Sequence, residues 1–168
     1  GQAIIEEANQ KGLTLEIPGW GALKVKYALF DLNGTLATDG ILPEVVKEKL
    51  RLLQEQLAVY LVTADTHGTA ANVVKDCGGL EIARIRPGDE AEQKKEILEK
   101  LGGSQTVACG NGANDTLMLR NACLGICVMH GEGTALQALL ASDVLVQSAE
   151  EALDLLLQPA RLVATLRS

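Results

Sequence analysis

Apolar and polar positions along the chain follow two rhythms that alternate. Residues 13–25 alternate one by one around Ile17-Pro18-Gly19-Trp20-Gly21, the pattern of a β-hairpin closed by a Pro-Gly turn. Lys26-Tyr27-Ala28-Leu29-Phe30 then predicts a buried strand. Pro43 suits a helix start, and Val46, Leu50, Leu53 and Leu57 step onward by four and three, which makes one helical face apolar. Short apolar runs at 58–62, 106–109, 126–129 and Val144–Val146 predict further strands. Helical patterns lie between them at Thr69–Cys77, Glu90–Leu101, 115–122 and 134–141, and a last helix starts at Ala149. Gly78-Gly79 and Gly102-Gly103 stop two of these helices.

Strands alternating with helices of about ten residues imply βαβ units, hence a mainly parallel sheet covered on both faces. The expected fold is α/β, a doubly wound Rossmann-like sheet preceded by an N-terminal hairpin. No repeat, linker or low-complexity tract divides it. Residues 1–168 are read as one domain, with 1–25 as extension and hairpin and 26–168 as the core.

Composition narrows the function classes. The 168 residues are 47% apolar, enough for a core without metal or disulfide. Against 22 acidic side chains stand 15 basic ones, a net charge of −7. That balance opposes nucleic-acid binding, which relies on Lys and Arg at phosphates, and opposes docking on an anionic membrane. The few aromatics, Trp20, Tyr27, Phe30 and Tyr60, offer no base-stacking platform. No apolar run reaches the length of a membrane span, and the start of the chain, with Glu6-Glu7, lacks a secretory pattern. The chain is read as cytoplasmic. Cys77, Cys109, Cys123 and Cys127 form no C-x-x-C pair and have only His67 and His130 as companions, so they read as reduced, small hydrophobes rather than as a zinc site.

In doubly wound sheets, ligands bind beyond the carboxyl ends of the strands, so those ends direct the search for chemistry. The first core strand ends in Asp31-Leu32-Asn33-Gly34-Thr35-Leu36, with a carboxylate at the mouth and a Gly that lets the backbone turn tightly. The second ends in Val62-Thr63-Ala64-Asp65, presenting a hydroxyl. Lys94 is in phase with Ile97, Leu98 and Leu101 on the apolar stripe of its helix, whereas Lys95 is out of phase. Cys109-Gly110-Asn111-Gly112-Ala113-Asn114-Asp115 follows another strand and brings a second carboxylate. Each element alone has an ordinary structural reading, as an N-cap, a turn residue or a snorkelling lysine. Together they supply a carboxylate nucleophile, a hydroxyl and an ammonium for phosphoryl oxygens, and a second carboxylate for a metal that favours hard oxygens.

These motifs resemble the haloacid dehalogenase superfamily of phosphotransferases: D-x-N-G-T-L at Asp31–Leu36, then Thr63, then Lys94, then the Gly110–Asp115 loop. The resemblance covers residues 26–148. The Thr63 and Gly110–Asp115 segments are more similar to the phosphorylation domain of P-type ATPases than to sugar phosphatases. It implies a soluble, capless, P-type-ATPase-like phosphatase that forms an aspartyl phosphate on Asp31. Mg²⁺ would then be held by Asp31, the carbonyl of Asn33 and Asp115, with Asn111 near its water shell. Gly34, Thr35, Thr63, Ala64, Lys94 and Asn114 would surround the phosphate. The implied partner is a phosphorylated substrate, either a small molecule or a phosphoprotein.

Two positions depart from the family pattern. Asn33 stands where efficient phosphatases carry an Asp as general acid and base, and an amide can neither deliver nor take that proton. Asn111 replaces the first acid of the last motif. Slow turnover is one consequence; a non-catalytic phosphate- or phosphoprotein-binding module is the alternative. A receiver-like phospho-acceptor domain fits less well, since Glu6-Glu7 does not follow an apolar strand. Without a cap, an oligomer could close the site, and the hairpin is expected either to mediate that or to cover a sheet edge.

Overall fold

The computed structural model describes residues 11–64 and 68–168, which leaves Glu6-Glu7, the start of the N-terminal extension, Asp65 and His67 outside the described residues. Strands β1 (Leu13–Ile17) and β2 (Gly21–Val25) form the expected antiparallel hairpin, with Leu13 opposite Val25. Pro18 presets the turn, and Gly19 takes the left-handed φ of +78° that a type II turn requires. The alternation does what the sequence implies, since Leu15, Ile17, Leu23 and Val25 point into the core.

The main sheet contains β3 (Tyr27–Asp31), β4 (Ala58–Thr63), β5 (Glu81–Arg84), β6 (Thr106–Gly110), β7 (Leu124–Val128) and β8 (Val144–Val146), in the order β5-β4-β3-β6-β7-β8. All of its pairings are parallel. One face carries α1 (Glu44–Leu53), α2 (Thr69–Cys77), α6 (Ala149–Leu157) and α7 (Pro159–Leu166); the other carries α3 (Glu90–Leu101), α4 (Thr116–Asn121) and α5 (Leu136–Ala141). Successive residues of β3 show the division: Ala28 and Phe30 join the larger cluster, whereas Leu29 joins the smaller one. Only residues 32–43 separate β3 from α1, so no cap is inserted there.

Three expectations need correction. The edge strand β5 is absent from the sequence reading because Glu81-Ile82-Ala83-Arg84 is half polar. Its extended form comes from pairing with β4 rather than from an apolar pattern. The last helix is two, because Pro159 cannot continue α6 and instead takes the first turn of α7. The hairpin neither pairs with an edge of the main sheet nor stands at the strand mouths. It packs against α7 at the amino end of the sheet, where the Ser168 amide donates to the Pro18 carbonyl (2.8 Å).

The cysteines behave as small hydrophobes. Cys109 and Cys127 are wholly buried in β6 and β7, and burial raises both thiols above their ordinary range.

Close packing at Gly125 joins β7 to its covering helices. A Cβ there would lie 2.6 Å from the Leu119 carbonyl oxygen and 3.4 Å from Ser142 Cα. Gly125→Ala is therefore expected to destabilise the fold by about 1–3 kcal/mol, as overpacking typically does. Urea unfolding should show a lower midpoint at an unchanged m value. An unchanged midpoint would mean that α4 shifts away freely.

Candidate active site

The strand order reverses direction between β3 and β6, and a doubly wound sheet opens a crevice at such a point. Asp31, the last residue of β3, and the Gly110–Asp115 loop beyond β6 stand on either side of it. Gly34 turns the backbone after Asp31 with φ +80°, so that the Leu36 and Ala37 amides both return to the Leu32 carbonyl (3.0 and 2.9 Å). Across the crevice, Gly110 has no Cβ because one would sit 2.6 Å from Asp115 Cβ and Cγ. That close approach lets Asp115 fold back beneath the strand end. There its Oδ2 accepts the Asn111 and Gly112 amides (2.9 and 3.0 Å).

Lys94 reaches this pair from α3. Its ammonium donates to Asp115 Oδ1 (2.8 Å), Asn114 Oδ1 (3.1 Å) and Asp31 Oδ1 (3.3 Å). The helical phase explains the reach: Lys94 and Leu98 are buried on the stripe, whereas Lys95 pairs loosely with Glu99 (3.8 Å) near the surface. The preceding loop is fixed by Gln93, whose side-chain amide donates to the Arg86 and Gly88 carbonyls. Lys94 is 3% exposed and Asp115 0%, so this is a buried cluster of three ionisable groups.

Burial first, and Asp115 next, push the Asp31 carboxyl up to about 8, with Lys94 pulling the other way. Burial alone would lower the Lys94 ammonium, but Asp31 and Asp115 outweigh it and hold it above its ordinary value. One ammonium thus faces two carboxyl groups, of which Asp31 keeps its proton at neutral pH, and a further cation would favour the ionised pair. Among the described residues no three His, Cys, Asp or Glu side chains gather as a metal cage. Two carboxylates are nonetheless the usual protein share for Mg²⁺, which keeps several waters and takes phosphate oxygens. Both are hard-oxygen donors of the kind that ion takes, and Asp115, wholly buried with Oδ1 on Lys94 and Oδ2 on two amides, would give up its Lys94 contact to ligate it.

The cavity above the cluster measures about 450 Å³ and is lined by Asp31, Asn33, Gly34, Thr63, Ala64, Lys94, Asn111 and Asn114 among the anticipated residues. Asn33 donates to Thr63 Oγ1 (3.2 Å), which ties the first two motifs together. Thr35 lies elsewhere than expected. Its buried hydroxyl donates to Asp31 Oδ2 (3.4 Å) and its side chain lines a neighbouring cavity, so it orients Asp31 instead of facing the main cavity. Asn111 also acts differently from a residue of a metal's water shell alone. Its amide nitrogen donates to the Val128 and Gly133 carbonyls (3.1 and 3.0 Å) and approaches Thr134 Oγ1 (3.2 Å). An aspartate cannot make those bonds, which gives the amide at this position a structural reason.

Ile85, Glu90, Gly112 and Glu132 also line the cavity and were missed. Ile85 follows the unrecognised strand β5. Glu90 lies one helical turn before Lys94, at the i,i+4 spacing that shares a face, and Glu132 follows β7. Extending the strand-end rule to every strand would have found two of them.

No protein-family model matches the chain. It is 44% identical over 92 residues to an uncharacterized protein of Methanocaldococcus jannaschii, a match covering 52% of this chain and 99% of that one. It is 36% identical over 104 residues, 61% of its length, to the probable copper-transporting ATPase PacS of Synechocystis, of which this stretch is only 13%. Among solved structures, the 3-deoxy-D-manno-octulosonate 8-phosphate phosphatase of Moraxella catarrhalis, in complex with magnesium and phosphate ions, superposes with a TM-score of 0.66 at 19% identity. That match covers 84% of this chain and 92% of the other. The cobalt-bound phosphatase of Haemophilus influenzae gives 0.64 at 15%, over 80% and 88%. At those identities the likeness is one of fold. The chain thus has the fold of these phosphatases, and over 61% of its length it is similar in sequence to a P-type transport ATPase.

Proposed function

We propose that the chain is a Mg²⁺-dependent phosphohydrolase that transfers phosphoryl groups to Asp31. The observation that supports this most is the contact of Lys94 with Asp31, both lining the cavity, and with Asp115 buried beneath them. A carboxylate held there, with an ammonium beside it, is placed to attack phosphorus. An Asp31 carboxylate oxygen forms the bond to phosphorus as the leaving oxygen departs with the bonding pair. Thr35 fixes the carboxylate through its hydroxyl, and Lys94 compensates charge on the phosphoryl oxygens. Asp31 and Asp115, with the carbonyl of Asn33, would hold Mg²⁺, which when bound offsets repulsion between the carboxylate and the phosphate dianion. Water then hydrolyses the aspartyl phosphate.

Asn33 makes that last step slow. Its amide hydrogen-bonds Thr63 and can orient a water, but it cannot accept the proton that the water must lose. The phosphorylated substrate is read as a small molecule, the class on which the phosphatases of like fold act by their names. A phosphate-binding module without turnover is the reading that complete inactivity would leave standing.

Two sets of variants test these roles. Asp31→Asn is expected to abolish turnover of an aryl phosphate with Mg²⁺, and full activity in it would remove the nucleophile assignment. Lys94→Ala should also abolish turnover, while Lys95→Ala should stay within about twofold of wild type, since exposed pairs contribute little. Equal losses at both lysines would contradict the burial argument. Asn33→Asp should raise turnover by about 10²–10⁴-fold, the usual worth of general acid–base help. Intact mass should exclude deamidation at the Asn33-Gly34 pair, and a variant no faster than wild type would refute the slow-phosphoenzyme reading.

A further inference from the structure

Charge at the mouth of the cavity is lopsided. Among the described residues that line it, Lys94 is the one cation, against the carboxylates of Asp31, Glu90 and Glu132. Lys94 is already engaged by Asp31 and by Asp115 beneath. Glu90 and Glu132 have no cationic partner among the described residues; Glu90 is held by its side chain and Glu132 by its backbone. Asn114 Nδ2 donates to Glu90 Oε2 (3.4 Å) while its own oxygen accepts from Lys94, which holds Glu90 above the cluster on α3. Glu132 belongs to the loop after β7, which is pinned on both sides. Its own amide donates to His130 Nδ1 (3.3 Å), and His130 Nε2 meets Thr38 Oγ1 (3.1 Å). On the far side, the Asn111 amide holds the Gly133 carbonyl and approaches Thr134 Oγ1.

We infer that Glu90 and Glu132 are specificity-determining residues that select phosphate monoesters whose leaving portion carries no second negative charge and favour one that is cationic. The inference rests on the proposed phosphohydrolase reading. The phosphoryl group itself is compensated at the cavity floor, so the two carboxylates act on what hangs outward from it. A second anion on that portion meets two like charges and, among the described residues, no free cation, a juxtaposition that disfavours wrong partners. An ammonium or a cluster of hydroxyls meets acceptors instead. Asn111 and His130 are then positioning residues, since they hold the loop from which Glu132 projects.

The test uses the full chain with Mg²⁺ and three aryl phosphates: 4-nitrophenyl, 4-carboxyphenyl and 4-(aminomethyl)phenyl phosphate. For wild type, E90Q, E132Q and the double variant, the readout is the ratio of kcat/KM for the carboxy ester to that for the aminomethyl ester. Intrinsic leaving-group reactivity cancels when this ratio is compared between proteins. Each neutralised charge is expected to raise the ratio about 2- to 5-fold, the range for partly exposed charge interactions, with the largest rise in the double variant. Added salt should raise the wild-type ratio toward that of the double variant. A merely structural role changes all three esters alike, and a ratio that stays fixed overturns the inference while leaving the phosphohydrolase reading intact. Failure of every form to turn over 4-nitrophenyl phosphate overturns that reading, and this inference with it.

Discussion

The site is organised by one buried ammonium between two carboxylates. Lys94, Asp31 and Asp115 come from three different elements, α3, the end of β3 and the loop beyond β6, and none of them is stable in the interior alone. Burying a charge costs several kcal/mol unless a partner and hydrogen bonds offset it, and removing one partner of such a group typically costs about 3–5 kcal/mol. Much of the local structure answers that demand. Two backbone amides hold Asp115, the Thr35 hydroxyl holds Asp31, and Asn114 takes a third hydrogen bond of the ammonium. With both acids ionised the cluster carries a net negative charge, which attracts a divalent cation.

The glycines serve the same cluster. Gly34 permits the tight return after Asp31, and Gly110 vacates the space that Asp115 fills. The doubly wound sheet contributes position, since its central strands bring the two carboxylates to opposite sides of the reversal in strand order. Both apolar clusters buttress that place. Leu98, one turn beyond Lys94, packs with Met118 and Leu119 of α4, so the helix that carries the ammonium is locked against the helix that follows Asp115.

Amide side chains stand at both positions where the motifs differ from the pattern they resemble. Asn111 uses its nitrogen to hold the loop after β7, which a carboxylate could not do. Asn33 uses its nitrogen to hold Thr63. In both places the amide donates a hydrogen bond where a carboxylate would only accept one.

Periodicity alone determined the hairpin, five of the six sheet strands and the inward phase of Lys94, because an apolar residue's distance from water is set locally by a period of two or 3.6. The strand ends marked Asp31, Thr63 and Asp115, and helical phase added Lys94, since a polar group that closes or interrupts an apolar run is visible in one dimension. What the tertiary structure decided is everything that depends on a neighbour distant in sequence. β5 is a strand because β4 pairs with it, and the hairpin lies away from the site because α7 offers the apolar face that it covers. Thr35 turns to Asp31, Asn111 reaches the β7 loop, and Glu90 and Glu132 meet over one cavity, since hydrogen bonding and charge act through space and leave no period in the sequence.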